Sequence, residues 1–129
     1  MTVRPKKSEM DAGNATLAKA RDSLPEPPPN HILRRGVADA EILGEIRTGK
    51  YDLLVIGARE HRGSAGEMLL GDVTHRVVKG TPISALVVRG NAHKLQNILV
   101  CTGGPDAAAA TVNTGAKLAR ATGSRVTLL

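Results

Sequence analysis

The sequence contains no phenylalanine and no tryptophan, and its one aromatic residue is Tyr51. A core without aromatics is packed from Val, Ile, Leu, Ala and Met. That excludes folds that stack single-stranded nucleic acid on aromatic platforms. The one cysteine, Cys101, excludes an intrachain disulfide framework and any metal site made of cysteines alone. It lies in an apolar run, where a buried, inert thiol is the expected state. No apolar stretch approaches the about 20 residues that span a bilayer. The basic start MTVRPKK is followed by SEMDAGNATLAKA, where a secretory signal needs an apolar run. The expectation is therefore a cytoplasmic chain with no membrane partner.

What is present is 129 residues, 41% hydrophobic and 23% charged, enough for a core of its own. Eighteen Lys and Arg against twelve Asp and Glu give a net charge of +6. The positive charges are scattered. They form no continuous track for a nucleic-acid backbone, so no nucleic-acid partner is expected.

Apolar spacing predicts a helix over 9–24, ended by the proline run PEPPPN. HILRRG (31–36) fits a short strand. Ala38, Ile42, Leu43 and Ile46 stand at helical spacing, with Gly49 as a stop. DLLVIGA (52–58) is a continuous apolar run and predicts a strand buried on both faces, as in a parallel sheet. A polar loop follows. Leu69, Leu70, Val73, Val77 and Val78 then mark a helical face, with a helix at 72–79. ISALVVR (83–89) and NILVCT (97–102) are strands, 107–123 is an alanine-rich helix, and RVTLL begins another strand. Alternating strands and helices define an α/β fold with a mainly parallel sheet. The connection 90–96 joins two strands without a helix, and a parallel neighbour normally needs a longer crossover. A boundary is therefore expected near residue 91, with strand 97–102 leaving for a second sheet or another chain. The alternative is a permuted single domain in which that strand inserts between 31–36 and 52–57.

Several apparent motifs fail on chemistry. Gly44 to Tyr51 nearly matches G-x-x-x-x-G-K-[ST], but Tyr51 cannot present a small hydroxyl to magnesium. The segment also closes a helix and does not open one. His31, His61, His75 and His93 are too scattered for a metal site. Ser64 and Ser84 lack a G-x-S-x-G setting. Asp11, Asp22 and Asp39 fit solvated helix faces, and no acid pair suggests acid–base catalysis.

The informative stretch is 51–90. A buried strand ends at Gly57, a glycine-bearing loop follows, and Gly71 stands directly before a helix. In open α/β sheets, ligands bind beyond the carboxyl ends of the strands. A helix start there offers free N–H groups and a positive dipole end to phosphate. The stretch 57–74 is thus a candidate anion or nucleotide site, with a plain crossover loop as the alternative.

This stretch resembles the universal stress protein family. The family pattern is a strand such as D-L-I-V-M-G, then G-x-x-G, nine residues, G-[ST], a helix and a strand of the form P-V-L-V-V. The counterparts here are Asp52 to Gly57, Leu69 to Thr74, and Pro82 to Val88. The segment 31–50 resembles the family's third strand and following helix. Asn97 to Gly104 resembles its first strand and loop, and Ala116 to Leu129 its first helix running into its second strand. The resemblance implies a Rossmann-like open sheet in a three-layer α/β/α arrangement, of the adenine nucleotide alpha hydrolase type. The order implies that 1–90 is the back half of one such domain and that 91–129 is the truncated front half of a second.

For the site, the resemblance points to Gly57, Arg59, Gly63, Gly71, Asp72, Val73 and Thr74 as a phosphate loop. It implies ATP as the ligand. Three departures weaken it. Glu60 stands where nucleotide-binding members have glycine, ten residues separate it from Gly71, and Asp72 replaces the family's Ser or Thr. Asp72 is expected to cap the helix itself and to repel phosphate. Two unit charges about 4 Å apart at an effective dielectric of about 20 cost roughly 4 kcal/mol, about a thousandfold in affinity. The family's nucleoside-contacting aspartate aligns with Gly103. The expectation is weak or absent ATP binding, no catalysis and no metal. The role would be regulatory, in stress response, exerted through association as a homodimer or half-domain pair along strand Ile83 to Val88. The alternatives are a competent ATP-binding protein with slow or no hydrolysis, and a regulatory domain of a larger transporter.

Overall fold

The computed structural model describes residues 7–24, 30–58, 61–62, 68–69, 71–90 and 94–129. Helix α1 (Lys7–Asp22) comes first and none of its residues is buried. Helix α2 (Ala38–Thr48) follows, and the Gly49 N–H closes it on the Glu45 carbonyl at 2.8 Å. Strand β1 (Leu53–Ala58) leads into a short antiparallel pair, β2 (His61–Arg62) and β3 (Met68–Leu69). Helix α3 (Asp72–Gly80) then leads to β4 (Ser84–Arg89). Strand β5 (Asn97–Val100), helix α4 (Pro105–Thr122) and strand β6 (Arg125–Leu128) complete the order.

The α/β class holds, and both β-α-β units are parallel. β1 pairs with β4 from Leu53 opposite Ser84 to Ala58 opposite Arg89. β5 pairs with β6 from Asn97 opposite Arg125 to Val100 opposite Leu128. The two pairs belong to separate two-stranded sheets.

Two elements differ from expectation. Residues 31–36 form no strand. Among the described residues they find no strand neighbour, and Leu33 lies against Gly13 of α1 while Arg34 pairs with Glu45 at 3.1 Å. β1 is also not buried on both faces. Leu54, Ile56 and Ala58 are half-buried, whereas Leu53 and Val55 are 51% and 58% exposed. Side chains alternate across a strand, and the helices of this unit cover only one face.

Among the described residues, the buried apolar ones are Ile46 and Val77 in the first unit and Val100 and Ala119 in the second. α2 packs on α3, with Leu43 against Gly80 and Arg76 paired to Asp39 at 2.7 Å. Asp39 is therefore an interhelical partner and not the solvated residue its helix position suggests. α4 packs on β5 through Gly115, where an added Cβ would come within 2.5 Å of Val100. Only glycine permits that approach. Cys101 is exposed, contrary to expectation. It follows Val100, so strand alternation turns it away from the face that α4 covers.

Candidate functional site

The carboxyl end of β1 and the start of α3 are fastened to each other. The Thr74 hydroxyl donates to the Gly57 carbonyl at 3.1 Å, and Thr74 is buried. This bond spans the loop between them and sets where α3 begins. Among the expected site residues, Gly57, Gly71, Asp72, Val73 and Thr74 are brought together by it. Arg59 and Gly63, with Glu60, lie outside the described residues.

The cap differs from the sequence reading. Gly71 is the N-cap, Asp72 is the first helical residue, and no side chain caps the helix. The first intrahelical bond runs from the His75 N–H to the Gly71 carbonyl at 3.0 Å. The N–H groups of Asp72, Val73 and Thr74 precede it and point past the helix end. An anion there meets three donors and the positive dipole end. A Cβ added at Gly57 or at Gly71 would meet no atom of the described residues within 4 Å.

Two features oppose an anion. The Asp72 carboxylate is exposed in the first turn, where it already complements the dipole. The Thr74 hydroxyl is already engaged and is not a spare donor. The family resemblance pointed to Thr74 as part of a phosphate loop and gave no sign of this fastening role, because the bond depends on β1 and α3 meeting in space. Exposure also lowers the repulsion expected from Asp72. In a solvent-like dielectric two charges about 4 Å apart cost about 1 kcal/mol, about fivefold in affinity.

A second turn, 101–104, leaves the carboxyl end of β5. The Thr102 N–H donates to the Leu129 carbonyl at 2.9 Å, and Gly104 is the N-cap of α4 with Pro105 in its first turn. Gly103 in this turn offers no carboxylate.

A polar cluster lies elsewhere, beside α2. Arg34 reaches Glu45 at 3.1 Å and Glu41 at 3.6 Å, and the Tyr51 hydroxyl donates to Glu45 Oε1 at 2.7 Å. That hydrogen bond, with lesser contributions from desolvation and the Glu45 charge, raises the Tyr51 pKa above its ordinary 10.0; Arg34 acts in the opposite sense. No group of His, Cys, Asp and Glu among the described residues could hold a metal ion. No helix among them is long and apolar enough to cross a membrane.

A parallel β-α-β unit with an open helix start beyond its first strand defines a Rossmann-like α/β protein. The sequence profile of the universal stress protein family matches residues 2–89, and the chain belongs to that family. The match contains the whole 57–74 site. No curated protein and no solved structure matches the chain.

Proposed function

We propose that this chain is a universal stress module that acts in the cytoplasm through association, without catalysis, and carries a degenerate ATP site. The observation that carries the reading is Asp72 at the first position of α3, in the helix turn whose N–H groups would receive phosphate. Gly57, Gly71, Val73 and Thr74 supply the backbone frame, and Arg59 and Gly63 belong to the same loop in sequence. The carboxylate competes with phosphate for the dipole and repels it. Glu60 adds a second acid within the loop, and Gly103 brings none of the family's nucleoside contact.

The association would use β4. Its only strand neighbour among the described residues is β1, and Leu86 is exposed. An open edge of this kind invites a second strand. We also place a domain boundary near residue 91, supported by a family match that ends at 89 and by the separate sheets on either side.

The test is an ATP titration series with magnesium at low salt on Asp72→Ser, alone and with Glu60→Gly. Asp72→Ser should tighten binding about fivefold to tenfold over the wild-type chain, and the double variant should exceed it. Unchanged affinity in both would remove Asp72 as the obstacle.

A further inference from the structure

Phenol, indole and thiol groups are the side chains that most readily give up a single electron. This chain has one phenol, Tyr51, no indole and one thiol, Cys101. Tyr51 stands between the end of α2 and the start of β1 and is 43% exposed. Its ring is placed from two sides. A Cβ added at Gly49 would collide with ring carbon Cε2, so the ring lies close to a backbone position that only glycine leaves open. The hydroxyl donates to Glu45 Oε1 at 2.7 Å, a length typical of a hydrogen bond to an ionised carboxylate. Glu45 is half-buried, and Arg34 Nε holds its other oxygen, Oε2, at 3.1 Å. Oε1 is thereby turned to the phenol.

We propose that Tyr51 is a site of one-electron oxidation, with Glu45 as the base that takes the phenol proton as the electron leaves.

A phenol that loses an electron and keeps its proton becomes a radical cation, which is a very strong acid. Losing both together avoids that species, and it needs a base already bonded to the hydroxyl. An ionised carboxylate only accepts hydrogen bonds and has room for a proton. The step balances as follows. Tyr51 gives one electron to a strong one-electron oxidant, which is reduced by it. The phenol O–H bond breaks, the proton binds Glu45 Oε1, and a neutral tyrosyl radical remains. The raised pKa of Tyr51 keeps the proton on the phenol until that moment.

Charge favours the same step. Glu41 and Glu45 outnumber Arg34 by one, and Lys50 and Asp52 on either side of Tyr51 cancel. Removing an electron brings this cluster to neutrality. Protonated Glu45 also holds Arg34 less firmly, leaving it the Glu41 carboxylate at 3.6 Å. Oxidation at Tyr51 is thus felt by the segment 30–36, which Arg34 ties to α2.

The radical has a defined fate. Two tyrosyl radicals from separate copies couple at a ring carbon beside the oxygen. Gly49 lies against Cε2, so the new bond joins the two Cε1 atoms. The hydrogen on each coupled carbon then moves to oxygen and restores the phenol. In all, two phenols lose two electrons and two protons and gain one C–C bond. The site requires no nucleotide and stands apart from the ATP reading.

The experiment uses the 129-residue chain with Cys101→Ser, which removes the competing thiol. Laser flashes in the presence of a cobalt(III) quencher convert tris(bipyridine)ruthenium(II) to the ruthenium(III) oxidant. The decay of that oxidant gives the rate of Tyr51 oxidation. High salt screens the change of charge between variants. Glu45→Gln keeps the shape and removes the base, so oxidation at neutral pH should slow by about tenfold or more. Added phosphate should speed this variant by acting as an external base and should leave the chain with Glu45 unchanged. Equal rates in the two chains, or an equal response to phosphate, with both folded by circular dichroism, overturns the proposal. Mass spectrometry of the photolysed product is an independent arm. The chain with Glu45 should give a covalent dimer two hydrogens lighter than its two monomers and joined through Tyr51. A dimer that survives Tyr51→Phe, or no dimer in either chain, overturns the proposal.

Discussion

The segments 53–89 and 97–128 share one local plan, a strand, a helix and a parallel strand, but they hold it together differently. The first fastens its helix with polar side chains. Thr74 bonds the Gly57 carbonyl, and Arg76 ties α3 to Asp39 of α2. The second uses close backbone approach, with Val100 against Gly115 and Ala119 buried nearby. Charge differs as well. Residues 97–129 contain Lys117, Arg120 and Arg125 against the single acid Asp106, which follows Pro105 at the start of α4, so both units carry an acid at a helix start. The fold tolerates Asp72 at the start of α3 because an acid suits a helix start.

The comparison can be broken from either side. Val77, fully buried between α3 and its neighbours, should be the most costly position in the first unit. Val77→Ala should lower stability by about 2–3 kcal/mol through lost burial and a residual cavity. Denaturant unfolding measures it, and hydrogen exchange should show the loss in 38–89 before 97–128. Gly115→Ala should act on the second unit alone. The added methyl meets Val100, and overpacking of this kind costs about 1–3 kcal/mol. Protection in β5 and β6 should fall while α2 and α3 keep theirs.

Smaller changes sharpen the contrast. Arg76→Ala removes a pair whose arginine is half-exposed, so about 1 kcal/mol or less is expected. The loss should be seen in α2–α3 packing and not in the second unit. The smallest effect is a titration. Tyr51 has its pKa raised by the hydrogen bond to Glu45, so the folded chain favours the neutral phenol. The stabilisation is complete below the unfolded value of about 10 and is lost as pH rises through the higher folded value. Tyr51 is the one aromatic residue, so phenolate absorbance reports it without overlap. Its midpoint should lie above 10.0, and Glu45→Gln should move it back toward that value.

Much of this was legible beforehand because it is local. Ala38, Ile42, Leu43 and Ile46 with Gly49 delimit α2 to the residue, and the apolar runs mark β1, β4 and β5. What escaped depends on neighbours. Residues 31–36 have strand composition, but a strand exists only with a partner. The burial of β1 on one face, the exposure of Cys101 and the pairing of Asp39 all follow from which faces the helices cover. At the site, the pattern located the α3 start within one residue. It could not tell that Gly71 caps the helix in place of Asp72, or that the Thr74 hydroxyl is already engaged.

The central claim is that the α3 start has the backbone of an anion site and the charge of a site that rejects one. Calorimetric titration of the wild-type chain with ATP and magnesium at low salt tests it most directly. The account predicts no saturation at micromolar ATP, while Asp72→Ser moves measurably toward it. Saturation of the wild-type chain at micromolar ATP, with phosphate signals reporting on residues 71–74, would contradict it.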